Sequence, residues 1–397
     1  MPDTAPTPAN DDDLQAVFGE NREASPESVP AARRTPTFAP WHRPVKQVVR
    51  SEQWKALTNR LLEETPPEDK IFRYFTLPGA DLLDVRVLAE CCIKHGVQVQ
   101  YFGFDSTASN TRHLGIEDIT TSASSALLHA GRITADSEVI KGRLEDIADV
   151  RTHAYTQLRK RRPFHAINID VCDHLAYSPP GQANSTFQAL NRLLEHQLDA
   201  DTPWLLLITT RVDPTVLETA PIIRFQKAIS DNLLNEAQEF KIALAEALGS
   251  ELGRVGAASI TAWTEQNENF LRIYTIGLGK YLLTSCLGQP NFPARVQLAS
   301  VYAYRVHDDS PDMLAIAFRV SPEGRRFLPP GSDLRPRSEP AWAAQLVRQS
   351  LKLQDLDNAL DRDENLRETA FSETRDLLKE ANYDIDAWER WVIGRTR

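Results

Sequence analysis

Apolar and polar positions change their period several times along the chain, and the changes mark its elements. Short runs dense in β-branched and aromatic residues occur at 71–77, 97–104, 138–141, 164–169 and 204–209, each followed by a segment of helix length. Strands and helices alternating at this spacing imply parallel strands joined by right-handed crossovers, hence a doubly wound α/β sheet. A long helical pattern covers 222–248. Two further strand-like runs, 295–306 and 313–320, are then separated only by His307-Asp308-Asp309-Ser310-Pro311-Asp312. That turn-forming string predicts an antiparallel hairpin ending the mostly parallel sheet.

The flanks read differently. Residues up to about Thr35 are rich in Pro, Ala, Asp and Glu and are expected to be a disordered tail. The expected organisation is a tail over 1–35, a lead-in helix over 36–66, a Rossmann-like domain over 67–325, and a linker with a helical extension over 326–397. In the lead-in, Trp41-His42-Arg43-Pro44-Val45-Lys46-Gln47-Val48-Val49-Arg50 mixes cations with apolar groups, and a helix pattern follows from Ser51, a candidate N-cap. Arg43, Lys46, Arg50 and Lys55 either contact a polyanion or stay in water while Trp41 and Trp54 pack on the sheet; the second is expected, since such stretches are common on plain surfaces. At the other end, 351–360 and 364–381 predict helices. Asp384 caps a last one, whose Trp388 and Trp391 are expected to dock on the chain's own domain.

An open parallel sheet binds its ligand outside the carboxyl ends of its strands, and an acid after strand two commonly accepts ribose hydroxyls. Here that acid is Asp105, ending Tyr101-Phe102-Gly103-Phe104-Asp105. The turn after strand one, Leu77-Pro78-Gly79-Ala80-Asp81, offers one glycine where dinucleotide turns offer two or three. The parallel sheet finished by a hairpin resembles the class I S-adenosylmethionine-dependent methyltransferase fold. That resemblance rests on element order and implies S-adenosylmethionine as cofactor, with Gly79, Asp81, Asp105 and Asp146 as its contacts and Asp81 reaching the cofactor's amino group. It also places Asn168-Ile169-Asp170-Val171-Cys172-Asp173-His174-Leu175 where substrate is handled, with Asp170 and Asp173 as catalytic candidates. Strand alternation sends Asp170 and Cys172 one way and Val171 and Asp173 the other.

Leu77-Pro78-Gly79-Ala80-Asp81-Leu82-Leu83-Asp84-Val85-Arg86 and Trp41-His42-Arg43-Pro44 also resemble a bacterial family of methyltransferase-like proteins associated with mobile or defence gene clusters. This implies protein partners from the same cluster, with no assigned chemistry. Two functions therefore stand: a methyltransferase of unknown acceptor with a degenerate cofactor loop, or a catalytically inactive scaffolding or binding subunit. A nicotinamide-dependent oxidoreductase shares the first two strands but leaves the hairpin unexplained.

Composition narrows the remaining classes. With 397 residues, 42% apolar, the chain has enough material for a sizeable core, and its net charge of -10 argues against an unaided nonspecific grip on nucleic acid while leaving a local basic patch open. No apolar run approaches the roughly 18 residues of a membrane span, and the N-terminus lacks a signal pattern, so a cytoplasmic location without membrane contact is expected. The four cysteines form no C-x-x-C pair and the histidines are scattered, so no metal site is expected. Neither a G-x-S-x-G elbow nor a G-x-x-x-x-G-K loop occurs. Ser178-Pro179-Pro180-Gly181 comes too late and lacks the aromatic residue of amino-methylating nucleic-acid enzymes. The basic run Arg159-Lys160-Arg161-Arg162 precedes strand four and belongs at the opposite, amino edge.

Overall fold

Eight strands form one sheet in the order β3-β2-β1-β4-β5-β7-β6-β8. The computed structural model describes residues 38–105, 116–235, 237–324 and 339–394. A short turn, Pro40–His42, leads into α1 (Pro44–Val48), a π-helical segment (Val49–Lys55) and α2 (Ala56–Glu64), which run on as one rod. The alternating core follows: β1 (Ile71–Thr76), α3 (Leu83–Lys94), β2 (Gln98–Asp105), α4 (Ile116–His129), β3 (Glu138–Lys141), α5 (His153–Arg159), β4 (Ala166–Asp170), α6 (Thr186–His196) and β5 (Trp204–Arg211). Four helices, α7 (Ala220–Leu234), α8 (Gln238–Ala247), α9 (Val255–Thr261) and α10 (Glu268–Leu287), precede the hairpin of β6 (Ala294–Tyr304) and β7 (Met313–Pro322). The chain ends with α11 (Glu339–Ser350), β8 (Gln354–Asp355), α12 (Leu356–Arg362), α13 (Glu364–Glu380) and α14 (Ile385–Ile393).

β1 pairs in parallel with β2 and β4, β2 with β3, and β4 with β5. β7 inserts antiparallel between β5 and β6, as the late turn predicts. The hairpin is not the outermost element, because Tyr302 and Ala303 of β6 pair with the two residues of β8. The helical pattern over 222–248 splits into α7 and α8, with Ala237 at the N-cap of α8.

Alternation along the strands divides the core into two layers. Phe75, Ile167, Ile169, Leu206, Ile208, Ile316 and Phe318 face the layer built with α6, α7, α8, α10 and α11. Phe72, Tyr74, Ala166, Leu205, Leu207, Ala315 and Ala317 face the layer formed by α1 to α4 with Leu356 and Ala370 from the C-terminal helices. A third cluster joins Leu83 and Val87 of α3 to Leu377, Leu378, Tyr383, Trp388 and Val392. Trp388 is fully buried there, and the Asp384 carboxylate caps α14 by accepting from the Ala387 amide at 3.0 Å. The tryptophan docks on its own chain.

The lead-in departs from both sequence readings. Ser51 is not an N-cap: the helix already runs from Pro44, and the Ser51 hydroxyl donates to Glu373 of α13. Lys46 and Arg50 are buried, while Trp41 is 43% exposed. A helix clamped between the sheet and α13 has no solvated face, so its cations must find interior partners. Arg43 and Lys55, nearer the surface, pair with Asp357 and Glu90. The tail over 1–35 and the segment over 325–338 lie outside the described residues. No helix among the described residues is long and apolar enough to cross a membrane.

Candidate functional site

On the layer facing α1, three adjacent parallel strands turn polar as they approach their carboxyl ends. β1 contributes Tyr74 and Thr76, β4 contributes Asn168 and Asp170, and β5 contributes Thr209, each spaced by two and so on one face. Asp84, from the first turn of α3, reaches back to this row: its Oδ2 accepts from the Tyr74 hydroxyl at 2.8 Å and from the Thr76 hydroxyl. Asn168 Nδ2 donates to the Tyr74 oxygen at 2.8 Å. Burial, and then the Asp84 charge, raise the Tyr74 phenol well above its ordinary range, so it stays protonated and serves as a fixed donor to Asp84.

The helical rod supplies the cations. Lys46 Nζ donates to Asp170 Oδ1 at 2.6 Å and to Thr209 Oγ1 at 3.2 Å, and lies 4.7 Å from the centre of the Trp54 ring. Burial pushes the ammonium below the ordinary lysine range and the Asp170 carboxylate pulls it back up. Arg50, one turn further on, donates to the Trp41 carbonyl at 2.9 Å, and its Nε has no partner although it is buried. The π-helical segment begins at Val49 and includes Arg50 and Trp54; such segments are over-represented at functional sites.

Each residue singled out in the sequence has a definite setting. The turn after β1 closes through Leu82 N to Gly79 O at 3.0 Å, and Leu82 adopts the left-handed conformation at φ 53°. A Cβ at Gly79 would meet nothing within 4 Å, so the turn borders open space. The glycine that permits close approach is Gly103 of β2, where a Cβ would strike the Thr76 carbonyl and lie 2.8 Å from Pro78 Cδ. Pro78 thus sits across the ends of β1 and β2. Asp81 accepts a hydrogen bond from the Tyr383 hydroxyl, which in turn meets His42 Nε2 at 3.1 Å. His42 Nδ1 accepts from the Ala39 amide at 3.0 Å, so Nε2 carries the proton and the chain of bonds runs from His42 through Tyr383 to Asp81. Burial and the Arg50 charge lower His42 to about 3, which keeps it neutral.

Asp105 is the last residue of β2, opposite Lys141 of β3. Asp146 is engaged at both oxygens, by the Arg143 amide at 3.1 Å and by Gln182 Nε2 at 2.8 Å, which makes it a cap for the turn Leu144–Ala148. Asp170 and Asp173 are not brought together. Asp170 points to Lys46, whereas Asp173 Oδ1 accepts from the His174 amide at 2.8 Å and its carbonyl accepts from the Arg211 amide at 3.1 Å. His174 is held between Asp213 Oδ2 at 3.1 Å and the Arg211 carbonyl at 3.1 Å, with both ring nitrogens occupied. The basic run lies at the amino edge, where Arg161 pairs with Glu138 and Arg162 with Asp69. Sequence reasoning read Lys46 and Arg50 as solvated cations or polyanion contacts, and gave Tyr74, Asp84 and Tyr383 no role. The signal for the first two was the spacing of four from Lys46 to Arg50 and on to Trp54, which puts the cations on the stripe of a buried aromatic.

The strand order, the carboxyl-edge acids and the closing hairpin give this chain a class I methyltransferase-like fold. A family's sequence profile matches residues 35–393, which is most of the chain. The chain belongs to the PP_RS20740-like family. Among curated proteins, none matches this member of the family. Among solved structures it is similar to a Listeria monocytogenes protein assigned to the class I S-adenosylmethionine-dependent methyltransferases, at 11% identity and a TM-score of 0.32, with 76% of this chain and 71% of that chain covered. A likeness that distant carries no argument by itself; the fold assignment rests on the sheet.

Proposed function

We propose that the carboxyl edge of this sheet binds S-adenosylmethionine and that the protein is a methyltransferase of undetermined acceptor. The observation that carries the reading is the polar row at the ends of β1, β4 and β5. There Asp170 is paired with Lys46 through one oxygen, keeps its side chain 26% exposed, and has no hydrogen-bond partner among the described residues at the other oxygen. A scaffold with no ligand to hold has little reason to keep ionised groups where apolar side chains would pack at lower cost. The residues present fit the group. Open space beside Gly79 leaves room at the first turn, and Asp105 ends β2 in the position from which a carboxylate takes two ribose hydroxyls. When bound, the cofactor would supply the activated methyl group. Asp105 would orient its ribose, and Asp170 would face the acceptor or the positive end of the donor from a fixed, Lys46-anchored geometry.

The second reading, a catalytically inactive binding subunit of a bacterial multi-protein system, is favoured by one local feature. Asp81, the acid suited to the cofactor's amino group, is taken by Tyr383, and Pro78 both removes a backbone donor from the turn and lies on Gly103. Calorimetric titration of S-adenosylmethionine separates the readings when done on the chain alone and then together with proteins encoded beside it. Submicromolar binding by the chain alone supports the enzyme; no binding in either preparation sinks it. Within a binding-competent preparation, Asp105→Ala should weaken the ligand by about 1.5–3 kcal/mol with folding unchanged.

A further inference from the structure

Away from the strand ends, α6, α7 and the turn Leu144–Ala148 enclose a groove of about 210 Å³. One wall follows from the spacing of α6. Gln188, Asn191, Arg192 and Glu195 recur at three, four and seven positions and so share one face, while Phe187, Leu190 and Leu193 are buried in the core. The amide oxygens on the polar face are spent: Gln188 Oε1 accepts from the Ser185 amide at 2.7 Å and Asn191 Oδ1 from the Tyr281 hydroxyl at 2.8 Å. Glu195, the carboxylate among the lining residues, is paired with Arg192, whose other terminal nitrogen donates to the Ala148 carbonyl at 3.3 Å. The donors are open. Gln188 Nε2 and Asn191 Nδ2 have no hydrogen-bond partner among the described residues, and Arg192 Nε is buried and unsatisfied. Across the groove, Arg224 of α7 is exposed and makes no ion pair among the described residues; its guanidinium is held 5.7 Å from the centre of the Phe187 ring.

What remains is a set of N–H donors around an unpaired positive charge, in a chain whose net charge is -10. An apolar ligand would leave those donors without partners, and a cation would be repelled by Arg224. A carboxylate is satisfied by the two-point grip of one guanidinium, which leaves the amide donors idle, whereas a phosphate monoester brings three acceptor oxygens and up to two charges. We infer that the groove between α6 and α7 binds the phosphate group of a small molecule, its oxygens received by Arg224, Gln188 Nε2 and Asn191 Nδ2. At about 210 Å³ the groove is smaller than the roughly 300–1,000 Å³ that drug-sized ligands occupy, which suits free phosphate or the phosphoryl end of a compact metabolite. The inference goes beyond the proposed function and does not rest on it, because the groove uses no residue of the polar row at the ends of β1, β4 and β5.

The test is the thermal unfolding midpoint of the full chain as inorganic phosphate, glucose 6-phosphate or acetate is added at constant ionic strength, from which an apparent affinity follows by linkage. The expected result is a saturable rise with both phosphates and no comparable rise with acetate. Arg224→Gln removes the unpaired charge at an exposed position. Asn191→Asp keeps an acceptor for the Tyr281 hydroxyl while replacing the donor by a negative charge. Each should weaken phosphate binding at least about tenfold, judged against the variant's own phosphate-free melt. Tighter binding of glucose 6-phosphate than of inorganic phosphate supports the site and identifies a phosphorylated metabolite as its ligand; equal or weaker binding supports the site and identifies free phosphate. A rise of the same size in the wild type and either variant is a general salt effect and overturns the proposal. So does the absence of any rise, or binding of acetate as tight as that of phosphate.

Discussion

Lys46 and Asp170 share a 2.6 Å contact but differ in what each loses when the other is removed. The Lys46 side chain is 3% exposed and cannot reach water, whereas Asp170 at 26% can turn outward. Asp170→Ala should therefore destabilise the protein by about 3 kcal/mol, the cost of an uncompensated interior charge, and Lys46→Met by much less. Urea unfolding of the two variants checks the asymmetry; equal losses would contradict it. A second residue-scale prediction concerns acid. Burial and Arg50 lower His42 to about 3, and burial and Arg73 lower His165 to about 4, from an ordinary value of 6.5. Below 6.5 the unfolded chain binds protons that both folded rings refuse, so stability is full above that pH and falls as pH drops toward 4. Each ring should contribute about 1 kcal/mol per pH unit to the slope. Unfolding curves between pH 7.5 and 5.5 measure it, and His42→Gln should remove its share. A slope unchanged by that substitution would contradict the neutral, Tyr383-bonded ring.

Among the elements, the two glycines near the first turn trade the roles that the sequence suggests. Gly79 lies in the turn, where glycine usually permits backbone approach to a ligand, yet it borders open space. Gly103 is inside β2 and is pressed by the Thr76 carbonyl and Pro78. Gly103→Ala should cost about 2 kcal/mol through forced backbone movement, and Gly79→Ala close to nothing; thermal melts of both variants test the pair. Comparable losses at the two positions would mean that the turn is packed differently. The strands themselves were legible because β1, β2, β4 and β5 carry period-two or continuous apolar runs of strand length. The lead-in was not. The four cations between Arg43 and Lys55 look solvated in sequence, and only the packing of the rod on the strand ends, where Lys46 meets Asp170 and Thr209, makes Lys46 and Arg50 interior groups. Nor does any local pattern announce that Tyr383 would meet Asp81, a contact across 302 positions.

At the scale of the molecule, the mostly parallel sheet and its antiparallel hairpin followed from element spacing, since parallel crossovers and a six-residue Pro/Asp turn leave few topologies, whereas β8 outside the hairpin did not. The candidate site was legible only as an edge. Sequence reasoning placed acids along it, but which acids are open and which are spent depends on side chains from the two ends of the chain: Asp146 is a cap, Asp173 serves its own loop, Asp81 is held by Tyr383 and Asp170 is anchored by Lys46. The lead-in and the C-terminal helices meet on one side of the sheet, where Trp388 Nε1 donates to the His42 carbonyl at 2.9 Å and Tyr383 reaches Asp81 in the turn after β1.

The most direct measurement of the central claim is amide hydrogen exchange of the full chain with and without saturating S-adenosylmethionine. If the carboxyl edge is the binding site, exchange should slow in the turn over 77–84, at the end of β2 and at the ends of β4 and β5, while the amino edge around 159–162 stays unchanged. Unaltered exchange along that edge at saturating ligand, or protection confined to another face, would contradict it.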